Sequence, residues 1–297
     1  MTTRCGIVAI LGAPNAGKST LVNALVGQKV AIVSPKAQTT RARLMGIALE
    51  GESQMILVDT PGIFTPGRRL DRAMVKAAWE GADDADRVLL VIDASVKLGA
   101  KAEQVIEGVE ARPEKRILVL NKVDIAKKDA LLGLAQLLAG RLNPDQIFFV
   151  SASTGDGVAD LKKHLSEAMP EGPWHYPEDQ LTDATDRMVA AELTREQLYL
   201  QLHKELPYAA AVVTEKWEDQ PNGSAMINQQ IVVERESQKA IVVGKGGSRL
   251  KAIGSAAREA IAEHLGRKVH LYLHVKVNPK WGEDKGLYED IGLDWSE

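Results

Sequence analysis

The sequence is poor in cysteine, in aromatic residues and in long apolar runs. Its 297 residues hold one cysteine, Cys5, so no internal disulfide can form and a reducing compartment is expected. No partner residues cluster with Cys5 in sequence, which argues against a metal-binding or reactive thiol. No apolar run approaches the roughly 18 residues that would mark a membrane span, and nothing at the start resembles a secretory signal. A soluble cytoplasmic protein is therefore expected. Net charge is only −3, so no whole-chain field points to a polyanion partner. Repeats and low-complexity tracts are missing too. Aromatics are 4% of residues, yet the 45% hydrophobic content suffices to bury real cores, and the length favours two domains.

What is present is organised around Gly12-Ala13-Pro14-Asn15-Ala16-Gly17-Lys18-Ser19, which fits G-x-x-x-x-G-K-[ST]. The apolar run Gly6–Leu11 before it reads as a buried strand, and the segment from Thr20 to Val26 after it as a helix. In that context glycine lets the backbone curl until successive N–H groups face phosphate oxygens, and the helix N-terminus adds positive potential. Lys18 then reaches the β- and γ-phosphates, and Ser19 offers a hydroxyl to Mg²⁺.

Through about residue 169, apolar runs alternate with amphipathic ones. Ile56–Val58, Val88–Ile92, Ile117–Leu120 and Ile147–Val150 read as buried strands, with Arg43–Leu49 as an edge strand. Helical patterns cover Asp71–Gly81, Ala100–Val109, Lys128–Arg141 and Val158–Ala168, which together give a doubly wound α/β sheet. Three further motifs each follow a strand, where such sheets bind ligands. Asp59-Thr60-Pro61-Gly62 places a carboxylate to hold Mg²⁺ through water and the Gly62 amide to meet a γ-phosphate. Asn121-Lys122-Val123-Asp124 fits N-K-x-D. Asp124 would accept hydrogen bonds from the guanine N1–H and N2 amine, a donor pair that adenine lacks, and the Lys122 stem would cover the base. Ser151-Ala152-Ser153 would set the Ala152 amide on the guanine O6. Between these motifs lies Ser34-Pro35-Lys36-Ala37-Gln38-Thr39-Thr40-Arg41, in which Thr40, or alternatively Thr39, is to close on Mg²⁺ and the γ-phosphate. The candidate metal set is Ser19, Thr40 and Asp59. Lys18, Thr40 and Gly62 are the candidate catalytic groups. Gly12, Asn15, Ala16, Gly17 and Thr20 complete the nucleotide site. Ile63 stands where many switch GTPases carry a water-orienting glutamine, so slow intrinsic turnover is expected.

Prolines and acidic residues over 170–181 read as a linker. Beyond it come a helix over Thr182–Leu202, strands over Tyr208–Trp217 and Met226–Glu234 joined through Gln220-Pro221-Asn222-Gly223, a helix over Gly247–Leu265 and a strand over Lys268–Val277. Residues 170–297 carry 15 Lys/Arg against 21 Asp/Glu, yet Lys239–Lys280 alone holds nine cations and two acids. This local excess points to a face for a polyanion. His164, His203 and His264 lack metal-ligand spacing, and His270 and His274 are not assigned to RNA.

With these residues on view, the chain resembles the translation-factor-like P-loop GTPases and, more closely, the Era family. The likeness rests on Gly12–Thr20, Gln38–Arg41, Asp59–Gly62, Asn121–Asp124, Ser151-Ala152 and, inside the basic segment, Gly244-Lys245-Gly246-Gly247. It implies a G domain over 1–169, a linker over 170–181, and an α+β KH domain of type II with a tail over 182–297. The glycine loop would track the backbone of about four single-stranded nucleotides. Lys245, Arg249 and Lys251 would meet phosphates with the Gly246 and Gly247 amides, and Ile241 and Ile253 would form a floor for bases. A short helix is expected from about Ser237 into the glycine loop, although Ala240-Ile241-Val242-Val243 has β-strand character. The resemblance further implies GTP and GDP as ligands, Mg²⁺, a K⁺ ion at Asn15, and a monomer acting in small (30S) ribosomal subunit assembly by binding the 3′ end of its ribosomal RNA. Some members are found on the inner membrane, for which no amphipathic anchor argues here. Competing readings are a constitutive RNA-binding scaffold with structural nucleotide, a kinase built on the same loop, and a GTPase of transfer-RNA modification. N-K-x-D and the lack of an acceptor lid oppose the kinase, and the KH-like region opposes the last. The tail from Trp281 is acidic and aromatic, with a short helix expected near Leu287–Ile291.

Overall fold

The computed structural model describes residues 2–36, 38–113, 115–202 and 206–295. The chain divides into two compact units, Met1–Asp183 and Ala184–Glu297. In the first unit β1 (Arg4–Gly12), α1 (Lys18–Val26), β2 (Leu44–Glu50), β3 (Ser53–Asp59), α2 (Arg69–Asp83), β4 (Arg87–Asp93), α3 (Ala100–Glu110), β5 (Arg116–Asn121), α4 (Lys128–Leu142), β6 (Gln146–Val150) and α5 (Val158–Ala168) follow in sequence. The strands form one sheet in the order β2-β3-β1-β4-β5-β6, in which only the edge strand β2 runs antiparallel to its neighbour.

The continuous apolar runs follow from burial on both faces of the sheet. Alternate residues feed two cores: Val8, Ile10, Leu57, Leu89 and Val119 pack with α1 and α5, whereas Ala9, Leu11, Leu90, Leu118 and Leu120 pack with α2, α3 and α4. Because β1, β3, β4, β5 and β6 are parallel, Gly12, Asp59, Asp93, Asn121 and Val150 all arrive at one edge of the sheet. That edge carries the site.

Residues 170–181, expected as a linker, are tied to this first unit. The Pro170 carbonyl accepts from the Cys5 amide at 3.0 Å and the Leu181 carbonyl from the Ile47 amide at 2.8 Å. Gln54, fully buried, donates to the Tyr176 carbonyl (2.8 Å) and accepts from the His175 and Tyr176 amides (2.9 and 3.0 Å). The Trp174 indole donates to the Glu52 carbonyl at 3.0 Å. A buried side-chain amide needs partners, and this strap supplies them. Backbone groups of the edge strand β2 hold the residues that follow. Thr182 bridges Gly46 and Asp183 accepts from the Met45 amide, so α6 (Asp186–Gln201) starts four residues later than its pattern suggests, with the Thr185 hydroxyl accepting from the Met188 amide.

The second unit continues with β7 (Ala210–Asp219), β8 (Ala225–Val233), α7 (Glu236–Val243), α8 (Ser248–Leu265), β9 (Val269–Val277) and α9 (Lys285–Asp290). Strands β7 and β8 are antiparallel and β8 and β9 parallel, giving the order β7-β8-β9. Leu198, Val212, Ile231, Val242, Ile253 and Val275 form its core. The β-branched run in α7 is helical because Val242 is fully buried there and the Gln238 side chain accepts from the Glu234 and Arg235 amides (2.8 and 3.0 Å). Burying one valine gains about 1.5–3 kcal/mol, against a propensity penalty of roughly 0.5 kcal/mol for each β-branched residue. The tail is part of the fold. Trp281 is buried with its indole donating to the Ala209 carbonyl (3.1 Å), and Tyr288 is buried with its hydroxyl donating to the Gly282 carbonyl (2.9 Å). Among the described residues no helix is long and apolar enough to cross a membrane.

Candidate nucleotide site and RNA-binding loop

Between β1 and α1 the chain curls because Asn15 (φ 65°) and Gly17 (φ 93°) adopt left-handed conformations. Gly17 is required by space as well, since a Cβ there would lie 2.2 Å from the Asn121 side-chain nitrogen. Lys18 opens α1 with its side chain buried and its Nζ donating to the Gly12 and Ala13 carbonyls (3.1 and 3.2 Å). The residue expected on phosphates is thus folded back onto its own loop. Burial lowers its pKa from 10.5 to about 8, with nearby Asp59 acting in the opposite direction. An open cleft lies here, lined in part by Asn15, Lys18, Ser19, Thr20, Thr40 and Gly62.

Ser19 donates its hydroxyl to Asp59 Oδ2 at 2.6 Å and lies 2.8 Å from the Thr40 hydroxyl, which itself reaches Asp59 Oδ2 at 3.3 Å. Of the two adjacent threonines, Thr40 joins this cluster, while Thr39 donates to the Lys36 carbonyl at 2.8 Å. Ala37 lies outside the described residues. Asp59 is fully buried and its Oδ1 has no hydrogen-bond partner. Burial raises its pKa, opposed by the Ser19 hydrogen bond, the Lys18 charge and the Thr40 hydrogen bond. Two hydroxyls and a carboxylate with a spare buried oxygen form an all-oxygen donor set that fits Mg²⁺. Elsewhere among the described residues no group of three or more His, Cys, Asp or Glu side chains could hold a metal. His164 instead packs its ring against Phe148 at 5.3 Å, and His203 lies outside the described residues.

After β3, Gly62 presses against the phosphate loop: a Cβ there would fall 2.8 Å from Pro14 Cα and N. Ile63 donates its amide to the Gly12 carbonyl (3.2 Å) and buries its side chain completely in the core with Leu11 and Ala78. It therefore turns away from the cleft. Asn15 donates from Nδ2 to the Pro35 carbonyl at 3.2 Å.

On the base side, buried Asn121 donates to the Ala16 carbonyl (2.8 Å) and accepts from the Ala152 amide (3.0 Å). One side chain thereby joins three motifs that lie far apart in sequence. The Ala152 amide, expected on a purine oxygen, is engaged in this bridge and can serve a base only as a shared donor. Ser151 is buried, its hydroxyl 3.2 Å from that of Ser153 and accepting from the Thr154 amide at 3.3 Å. Asp124 is exposed, open to a base. Lys122 (φ 65°) donates to Asp93 Oδ2 at 2.6 Å. Sequence reasoning passed over Asp93 and its neighbour Ser95. The signal available was an Asp-x-Ser turn at the carboxyl end of a strand.

In the second unit, Gly244, Gly246 and Gly247 have φ of 71°, 58° and 79°, so the loop between α7 and α8 is built from backbone that other residues rarely adopt. Lys245, Gly246, Arg249 and Lys251 are exposed. The Arg249 guanidinium donates to the Ile241 carbonyl at 2.8 Å, which braces the loop. Of the two residues expected to form a floor for bases, Ile241 is 47% exposed, but Ile253 is fully buried and belongs to the core. It is the inward face of α8 that takes Ile253, with Ala257 and Ile261 at helical spacing. His274 contacts Gln230 (2.9 Å) and Glu215 (3.4 Å).

Comparison with known proteins agrees with both halves. Residues 7–122 match the family model of 50S ribosome-binding GTPases and residues 205–282 that of KH domains. GTPase Era of Erythrobacter litoralis is 62% identical over 297 residues, covering 99% of this chain and 98% of that protein. GTPase Era of Brucella melitensis is 55% identical, with 99% and 94% covered. Among solved structures, Era in complex with MgGDPNP and nucleotides 1506–1542 of 16S ribosomal RNA superposes with a TM-score of 0.92 at 36% identity, covering 98% of this chain and 99% of that one. An Aquifex aeolicus Era variant bound to GDP and AlF4− superposes equally well, with the same TM-score of 0.92 and 36% identity over 98% and 99% of the two chains. With both domain models in order and the likeness running from end to end, this chain belongs to the Era family of GTPases.

Proposed function

We propose that the protein is a GTP-hydrolysing switch that binds single-stranded RNA from the 3′ end of small-subunit ribosomal RNA through its KH loop and acts in 30S subunit assembly. The observation that carries this reading is the meeting of Thr40 with Ser19 and Asp59, which ties the segment before β2 to the phosphate loop at the point where a γ-phosphate would lie. The relative solved with MgGDPNP and 16S ribosomal RNA supports both ligands. Loop amides from Asn15 to Ser19 and the α1 N-terminus receive the phosphates. Lys18 transfers its hydrogen bonds from the Gly12 and Ala13 carbonyls to phosphate oxygens and offsets charge as the bond to the γ-phosphate breaks. Ser19 and Thr40, with Asp59 beside them, would hold Mg²⁺, which would supply charge neutralisation to the phosphates. Asp124 selects guanine, because adenine would leave its carboxylate unpaired. The Gly62 amide follows the γ-phosphate and is released on hydrolysis. Since Ile63 cannot hold the water, turnover is slow until a partner or K⁺ at Asn15 assists.

In the second unit Lys245, Lys251 and the Gly246 and Gly247 amides take the RNA backbone, with Arg249 bracing the turn. The working state is a cytoplasmic monomer, which gel filtration and cell fractionation check, and recovery with the inner-membrane fraction would add peripheral attachment. The function is tested by binding a single-stranded 3′-terminal RNA fragment at fixed salt with GDP and with a non-hydrolysable GTP analogue. Tighter binding with the analogue, lost in Gly246→Asp, is the expected result. Equal binding in both nucleotide states would replace the switch by a constitutive scaffold, and no binding would remove the RNA function.

A further inference from the structure

We propose that Asp93, clamped by Ser95, is the positioning residue for Lys122 and so sets how tightly the guanine base is held. The proposal rests on the GTPase reading above. Asp93 ends β4 directly opposite Asn121 at the end of β5, and the Ala94 amide extends the pairing by donating to the Asn121 carbonyl at 2.9 Å. The carboxylate therefore emerges beside Lys122, the next residue of the base-reading motif. Its two oxygens have separate tasks. Oδ1 accepts from the Ser95 amide (3.0 Å) and hydroxyl (2.5 Å), which fixes the plane of the group. Oδ2 accepts the Lys122 ammonium at 2.6 Å. Rotating the carboxylate would break both sets together.

The lysine is held at its other end by its backbone, in a left-handed conformation at φ 65°. Its stem runs beside the phosphate loop, with Cε 4.0 Å from the point where a Cβ on Gly17 would sit. A four-carbon chain fixed at both ends forms a ready-made wall for a base, whereas an untethered lysine must lose rotamer freedom each time a base binds. The ion pair is only partly buried, with side-chain exposures of 30% and 20%. Asparagine at this position keeps a side-chain oxygen for the Ser95 amide and hydroxyl, so the turn that follows β4 is retained. Removing the charge of Asp93 is therefore expected to spare the fold and to appear in ligand release.

The test is a double-mutant cycle read by release of fluorescent GDP from the full-length protein. Asp93→Asn keeps the shape and loses the charge that holds Lys122. Contacting residues typically couple at a level equivalent to about tenfold, so GDP and GTP are expected to leave about tenfold faster, and about threefold faster in Ser95→Ala. The turnover number at saturating GTP is expected to stay within about twofold, and competition by inorganic pyrophosphate, which has no base to cover, should not change. In a Lys122→Ala background, Asp93→Asn should add nothing. Additive effects of the two substitutions, wild-type release from Asp93→Asn, or weaker pyrophosphate binding would overturn the proposal. Failure of the unsubstituted protein to bind GDP or GTP would instead overturn the GTPase reading on which it stands.

Discussion

Lys18 gives the most direct physical test of the site, because its charge is held in a place that only a nucleotide fully satisfies. Without phosphate, its ammonium is buried against two carbonyls and its pKa falls from 10.5 to about 8, burial being the cause. That difference corresponds to about 3 kcal/mol disfavouring the charged form in the folded protein. The sign follows from proton counts. Below about pH 8 the lysine is protonated in folded and unfolded chains alike, so the full penalty applies. Between about 8 and 10.5 the unfolded chain holds more protons, and the stability of nucleotide-free protein should rise with pH from this group. Phosphate oxygens restore the ammonium, so nucleotide binding must take up a proton wherever the free protein has lost one. The lysine's share of the uptake should be about half a proton at pH 8 and close to none at pH 6.5. Calorimetry of GDP binding in two buffers of different ionisation heat measures it, and a ¹³C titration of the lysine Cε, assigned with Lys18→Met, measures the pKa directly. A Lys18 signal that titrates near 10.5 in nucleotide-free protein, or no proton uptake at pH 8, would refute the argument.

Three further outcomes follow from the packing. Gly62→Ala would drive a methyl into Pro14 backbone atoms 2.8 Å away, which cannot yield as a side chain can. Phosphate-release assays should show GTP hydrolysis reduced on the order of 100-fold, the scale of a misplacement of about 1 Å in a catalytic site. Asn121→Ala leaves the buried Ala152 amide and the Ala16 carbonyl without their partner. Denaturant titration of the nucleotide-free protein should show a loss of about 2–4 kcal/mol, and equilibrium dialysis a GDP affinity weaker by more than tenfold. Trp281→Ala empties a fully packed position and breaks the bond to the Ala209 carbonyl. Calorimetry should show the second unit destabilised by about 3–5 kcal/mol, and GTP hydrolysis by the first unit should be spared.

By itself the sequence determined the chemistry of this protein. Four motifs, each following a strand, needed no three-dimensional information, because a phosphate loop is a local backbone curve and a parallel sheet brings all carboxyl ends to one edge. The glycine loop was legible for the same reason: positive φ leaves a mark in the choice of residue. Only tertiary structure could choose Thr40 over Thr39, since neighbouring residues of one type differ only in which way the chain turns, and the turn is set by Ser19 and Asp59 from distant segments. Ile63 read as a missing catalytic group and proved to be core, just as Ile253 read as an RNA contact and proved to be core. An apolar side chain carries no mark of the side on which it will be buried. Residues 170–181 had the composition of a linker, and their attachment depends on Gln54, whose need for partners arises only once β3 is buried. Asp93 illustrates the same limit. Its partner is 29 residues away, and the pairing of β4 with β5 is what sets a carboxylate beside the lysine. Local backbone demands are written residue by residue, whereas pairings between distant side chains exist only after the sheet has chosen its order.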